Sequence, residues 1–157
     1  VFGADATVYV NGLIVTTLSI SNKDFINSNY EFHQDPNNPL VAVTNAGTIN
    51  ARGYVGLLTS AVKNTGTITV NLGIIVLVSG EAATLDFNED GLINFVVTEA
   101  TTGKVMDRES NVLRDLIYNT GLLRVNGWQV QLSVARGVSD VARYVVSQEE
   151  ARGKCNH

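Results

Sequence analysis

The sequence predicts an all-β fold built as a solenoid of stacked coils, with added strands outside the coils and one short helix. Three observations carry that expectation. Asn45-Ala-Gly47-Thr-Ile49 recurs 19 residues later as Asn64-Thr-Gly66-Thr-Ile68, and again as Asn119-Thr-Gly121-Leu-Leu123. Each copy is followed by a bend and an alternating apolar strand: Val55-Gly-Leu57, Ile75-Val-Leu77 and Val130-Gln-Leu132. Asn and Gly stand at every corner, namely Asn45, Gly47, Asn64, Gly66, Asn119 and Gly121. A period near ~20 residues made of short strands marks a repeat whose units cannot bury an apolar face alone, so neighbours stack around a shared core.

The elements follow in order. Residues 1–26 read as two or three strands. Ala6 to Val10 alternates, Asn11-Gly12 turns, and Leu13 to Ile20 resumes an apolar, Thr-rich strand. Asn11-Gly12 suits a hairpin and a solenoid corner equally, on the expectation that either needs positive φ. Ser21 to Asn38 is polar, and both prolines lie at its end, so it reads as an excursion from the repeat.

From Leu40 to Phe87 the repeat is cleanest, with Val, Ile and Leu at every second position. Asn45 is expected to lie over Asn64 as an amide ladder, and Ile49 over Ile68 as an aliphatic stack. Asp86 to Phe95 interrupts the repeat as a turn, and Leu92 to Thr98 is a further strand. The one helix is expected after Ser110 as N-cap, with Val112, Leu113, Leu116 and Ile117 on one face and Asn119 to Gly121 as its stop. Asn119 to Leu132 then resumes the stack. Residues 134–146 fit either helix or strand, because Val134, Val138, Val141 and Val145 have helical spacing while valine disfavours a helix. The expected organisation is a partial coil domain over 1–146 and a disordered polar tail over 147–157.

Composition bounds the function. The 157 residues are 45% hydrophobic, with no apolar run long enough to span a membrane as a helix. The first residues lack the pattern of a signal peptide and begin without Met, so a processed or excised piece is expected. The net charge of −4 is uneven. Residues 1–103 hold three basic and nine acidic side chains, whereas 104–157 hold eight and six. Without a basic cluster interleaved with aromatics, nucleic acid is not an expected partner. Cys155 is the single cysteine, which excludes an internal disulfide framework.

Few residues point to chemistry, and no catalytic or cofactor-binding set is expected. Asp86, Asn88, Asp90 and Asn94, with Gly91, copy the opening of a calcium loop, but position 12 is Val97 instead of a bidentate Glu. An Asx-rich turn is the competing and favoured reading. Asp86, Glu89 and Asp90 share one turn with no second acidic pair at a repeat offset, so the paired carboxylates of a polysaccharide-cleaving enzyme are missing. His33 and His157 read as solvated, no nucleotide-binding glycine fingerprint occurs, and Trp128 is either a packing cap or a carbohydrate platform. Spacing also excludes the six-residue period of a left-handed β-helix acyltransferase.

The chain resembles the N-terminal secretion domain of the filamentous haemagglutinin family, the exoproteins of bacterial two-partner secretion. The residues that carry the likeness are Val1 to Val15, Thr17 to Phe25, the Asn-x-Gly-x-Ile corners at 45–49 and 64–68, Ala83 to Asn94, and Asn119 to Leu132. They occur together in the family's order and cover most of 1–146. The resemblance implies a right-handed parallel β-helix with extra-helical strands. It implies a non-enzymatic module recognised by the periplasmic docking domains of an outer-membrane transporter. It further implies a place outside a Gram-negative cell, secreted or on the surface, where the rest of the exoprotein acts as adhesin, haemagglutinin, haemolysin or toxin carrier on a host glycan or receptor. The family's Asn-Pro-Asn element, expected before Val1, and a further Asn-x-Gly coil, expected after Val146, do not occur, so an internal fragment or a gene product truncated at both ends is expected. A carbohydrate-binding or polysaccharide-cleaving β-helix protein is the alternative.

Overall fold

A computed structural model describes residues 1–87, 93–107, 109–113, 115–126, 129–136 and 140–142. The chain is nearly all β, with parallel strands in a curled sheet. The strands that wind around its core are β1 (Thr7–Thr16), β3 (Ala42–Asn45), β4 (Thr48–Thr59), β5 (Ala61–Asn64), β6 (Thr67–Val70), β7 (Ile74–Ser79), β10 (Ile117–Asn119), β11 (Leu122–Val125) and β12 (Gln129–Arg136). Outside it lie the helix α1 (Asn22–Ile26), β2 (Glu31–His33), β8 (Ala82–Phe87), β9 (Ile93–Glu99) and β13 (Asp140–Ala142).

Three parallel ladders surround one interior. In the first, β3, β5 and β10 lie side by side. In the second, the first half of β4 pairs with β1 on one side and β6 on the other, and β6 pairs with β11. In the third, the second half of β4 pairs with β1 and β7, and β7 with β12. Because β1 and β4 each run through both the second and third ladders, the sheet must curl.

Val43, Val62, Ile49, Ile68, Leu123, Val55, Ile75, Leu57, Leu77 and Leu132 come from all three ladders and form one apolar cluster. Ile49, Ile68 and Leu123 occupy successive rungs in register. Burying one such side chain stabilises the fold by roughly 1.5–3 kcal/mol.

Residues 80–116 leave the coil and return to it, so the offset between equivalent corner residues grows from 19 to 55. The strands β8 and β9 of that excursion join β2, from the earlier segment, in an antiparallel sheet of order β2-β8-β9. It packs on the outer side of β4 and β7. Val76, Val78, Ile74 and Leu58 there join Phe32, Ala83, Leu85, Ile93 and Phe95 in a second core.

Three sequence expectations are corrected. Asn11-Gly12 makes no hairpin: β1 runs through it, and the parallel register with β4 merely shifts between Val10 and Gly12. The side of Gly12 that would carry a Cβ is filled by the Tyr54 ring, and its φ lies outside the left-handed region.

The helix expected after Ser110 does not form. Ser110 has φ 63, Val112 bridges Met106, and Leu113 N–H donates to the Val105 carbonyl at 2.9 Å. The Asp107 carboxylate accepts from the amides of Glu109 and Asn111 at 3.0 and 2.9 Å, which commits the segment to a turn before a helix can start. Leu116 still reaches apolar surroundings, beside Ala61 and Val105.

The short helix lies instead at α1, within the segment read as a polar excursion. Ser21 caps it, accepting from Asp24 N–H at 3.0 Å while its hydroxyl donates to the Asp24 carboxylate at 2.5 Å. The expectations for Asn88, Glu89, Asp90, Trp128, most of 137–146 and the tail at 147–157 fall outside the described residues.

Candidate functional site

The corners are the part of the sequence pattern that the fold draws most tightly together. Asn45, Asn64 and Asn119 stand in register on β3, β5 and β10. Asn45 Nδ2 donates to Asn64 Oδ1 at 2.8 Å, and Asn64 Nδ2 donates to Asn119 Oδ1 at 2.7 Å. Each amide also turns back to its own corner: the three Nδ2 groups lie 3.4, 3.3 and 3.4 Å from the carbonyls of Gly47, Gly66 and Gly121. Asn45 and Asn64 are fully buried. Such groups are tolerated there because their hydrogen bonds are made.

The corner glycines are required by space, not by φ. A Cβ on Gly66 would lie 2.1 Å from the Gly47 carbonyl oxygen, and one on Gly121 would lie 2.0 Å from that of Gly66. Both contacts are to backbone, which cannot rotate away. None of the three corner glycines adopts the left-handed region that the sequence argument assumed.

A second polar cluster, which sequence reasoning missed, sits where the excursion leaves the coil. Ser79 Oγ and Thr101 Oγ1 donate to the Ser60 carbonyl at 2.7 and 3.1 Å, and Thr59 Oγ1 donates to the Val41 carbonyl at 2.9 Å. The hydroxyl of Ser60 is buried without a partner among the described residues. The signal was present as Thr59-Ser60 and Ser79-Gly80 at the end of consecutive coils, although Thr101 enters from far along the chain.

The outward sides of the three ladders differ. The third is covered by the β2-β8-β9 sheet, along whose edge Phe25, Tyr30, Phe87 and Tyr54 meet edge to face at centroid distances of 6.2, 5.4 and 6.0 Å. The first is partly covered by 105–116, leaving a groove lined by Lys63, Val112, Leu113, Asp115 and Tyr118. The second carries no described element. Its outward positions form two ranks in register: Thr7, Thr48, Thr67 and Leu122, then Tyr9, Asn50, Thr69 and Arg124.

Of the proposed calcium ligands, Asp86 and Asn94 lie opposite each other on β8 and β9. The other two fall outside the described residues. His33 lies on β2, exposed, and holds Ser19 through its backbone at 2.8 and 2.9 Å. Two carboxyls titrate below their usual range. Asp24 is held down chiefly by the Ser21 hydroxyl, and Asp107 chiefly by the Asn111 amide. No group of acidic, His or Cys residues suited to a metal occurs among the described residues.

No protein-family model matches the chain, and no curated protein does. Among solved structures it is similar to the crystal structure of the HMW1 secretion domain from Haemophilus influenzae. The likeness has a TM-score of 0.55 and 29% identity, and it covers 85% of this chain and 36% of that one. The chain thus spans about a third of the length of the solved domain it matches. With parallel strands in a curled sheet and added strands outside it, its fold is similar to that of this secretion domain.

Proposed function

We propose that the chain is a secretion module of a bacterial two-partner secretion exoprotein, a right-handed parallel β-helix that folds after export. The observation that supports this best is the likeness to the HMW1 secretion domain over most of the chain, in both structure and sequence. In this reading the module is non-enzymatic. The periplasmic docking domains of a dedicated outer-membrane transporter recognise it, and it ends secreted from, or on the surface of, a Gram-negative cell. Adhesion or toxicity belongs to other parts of the exoprotein.

The physical chemistry suits that route. A chain whose single cysteine precludes an internal disulfide can pass extended through a narrow pore. Each rung then pairs mainly with its neighbours, so stacking can begin at one coil and spread. The amide ladder and the shared core would make each added rung hard to withdraw. The test is retention of the purified, unfolded chain by the immobilised periplasmic domain of a two-partner transporter. Specific retention, lost when 45–49 and 64–68 are scrambled, is expected. Equal retention of the scrambled chain would overturn the reading.

A further inference from the structure

We propose that the uncovered outward side of the second ladder binds a polysaccharide that carries carboxylates, a uronic-acid chain. This goes beyond the secretion reading and does not rest on it.

The face is regular. Thr7, Thr48 and Thr67 stand in one rank and Tyr9, Asn50, Thr69 and Arg124 in the next, with unbroken register from rung to rung. Rungs of a sheet lie ~4.8 Å apart and alternate residues of a strand ~6.6 Å apart, so the side chains form a flat grid. At the bend that follows, Asn11, Arg52, Asn71 and Asn126 are exposed, and Asn126 Nδ2 donates to Asn71 Oδ1 at 3.4 Å.

Chemistry selects the occupant. The amides of Asn45 and Asn64 inside the coil are consumed by their own ladder. By contrast, the side chains of Thr7, Thr48, Asn50, Thr67 and Thr69 bond no other described residue and are at least partly exposed. A row of unengaged hydroxyls and amides, each able to donate and accept, matches the hydroxyls of a sugar chain. Tyr9 is 78% exposed and offers an apolar plate for the face of a pyranose ring.

Charge narrows the choice further. The two ranks and the bend hold Arg52 and Arg124 and no carboxylate, in a chain of net charge −4. The nearest acid in sequence, Asp5, lies in the turn before β1. A guanidinium fork pairs with a planar carboxylate through two parallel hydrogen bonds. Two cations are too few for a nucleic-acid backbone. A peptide strand would pair with backbone groups at the outer edges of β1 and β11, beside the flat of this face and not on it.

The test is affinity electrophoresis of the whole chain through gels containing polygalacturonate, dextran or dextran sulfate. Retardation by polygalacturonate is expected, with none by dextran and less by dextran sulfate. The exposed-site variants R52Q/R124Q and Y9A should each weaken polygalacturonate binding about tenfold or more, the effect of losing a charged hydrogen bond or a stacking plate. Their circular dichroism should be unchanged. The proposal is overturned by no retardation, by stronger retardation in dextran sulfate, or by folded variants that bind like the parent.

Discussion

The second and third ladders share β1 and β4, which turn one corner between them, yet they have opposite surfaces. In β6, Thr67 and Thr69 face outward and half-exposed while Ile68 and Val70 are fully buried. In β7, every residue from Ile74 to Ser79 is buried. The cause is the β2-β8-β9 sheet, which closes over Val76 and Val78 and leaves Thr67 and Thr69 bare. A strand covered on both sides reads as a continuous apolar run, and one covered on a single side alternates. Ile74-Ile-Val-Leu-Val78 against Thr67-Ile-Thr-Val70 therefore records which side of each coil another element will cover.

The sharpest break is at the corner that joins the first ladder to the second. Gly66→Ala places a methyl group against the Gly47 carbonyl, and only a backbone shift relieves it. Chemical denaturation should show a loss of about 3 kcal/mol or more, at the upper end of overpacking effects. A loss under about 1 kcal/mol would mean the rungs are not packed as tightly as the structure has them.

Next comes charge. Ile68→Asp and Val76→Asp should both cost several kcal/mol, on the order of the penalty for an unpaired buried charge. Lys63→Asp and Thr69→Asp should change stability by only about 0.5 kcal/mol. If Val76→Asp melts like Thr69→Asp, the outer sheet does not cover β7. Equal melting of Ile68→Asp and Lys63→Asp would sink the shared interior itself.

Asn64→Ala comes third. It strands the donor of buried Asn45 and the acceptor of half-buried Asn119, so about 2–4 kcal/mol is expected. Asn119→Ala, which breaks one link, should cost less by the same denaturation measurement.

The smallest effect is that of acid. The folded pKa values of Asp24 and Asp107 are depressed by hydrogen bonds from Ser21 and Asn111. Their contribution is complete above the ordinary carboxylate pKa near ~3.9 and is lost as pH falls through the lower folded value. Amide shifts of Asp24 and Asn111 should move in that window, with the core signals unchanged. Both sites lie outside the ladders, so movement of the core would show that they are coupled to it.

Much of the coil was legible because its period and its alternation agree. Asn45, Asn64 and Asn119 repeat with the glycines two residues on; the first pair stands one period of 19 apart, and Asn119 is recognised by its Asn-x-Gly pattern despite an offset of 55. What escaped were features set by a few local hydrogen bonds or by distant contacts. Val112, Leu113, Leu116 and Ile117 have helical spacing, but the Asp107 carboxylate claims two nearby amides first. The five residues of α1 bury none of their side chains, so no apolar stripe announced them, and only Ser21 and Asp24 marked the cap. The bare face shows in the alternation of its own residues, but the reason it stays bare does not. Its exposure follows from where residues 82–99 fold back, a contact far along the chain from Thr7 or Thr48.

The asparagine column has a direction. Each amide gives its hydrogen toward the later coil and receives from the earlier one, so the dipoles add like arrows laid nose to tail. At the early end the next chain neighbour is Phe2, which brings no amide, and the Asn45 oxygen is taken by the Gly47 N–H at 3.2 Å. Lengthening the column is therefore asymmetric. A new rung fits beyond Asn119 if it presents an oxygen, whereas one inserted in reverse would set donor against donor.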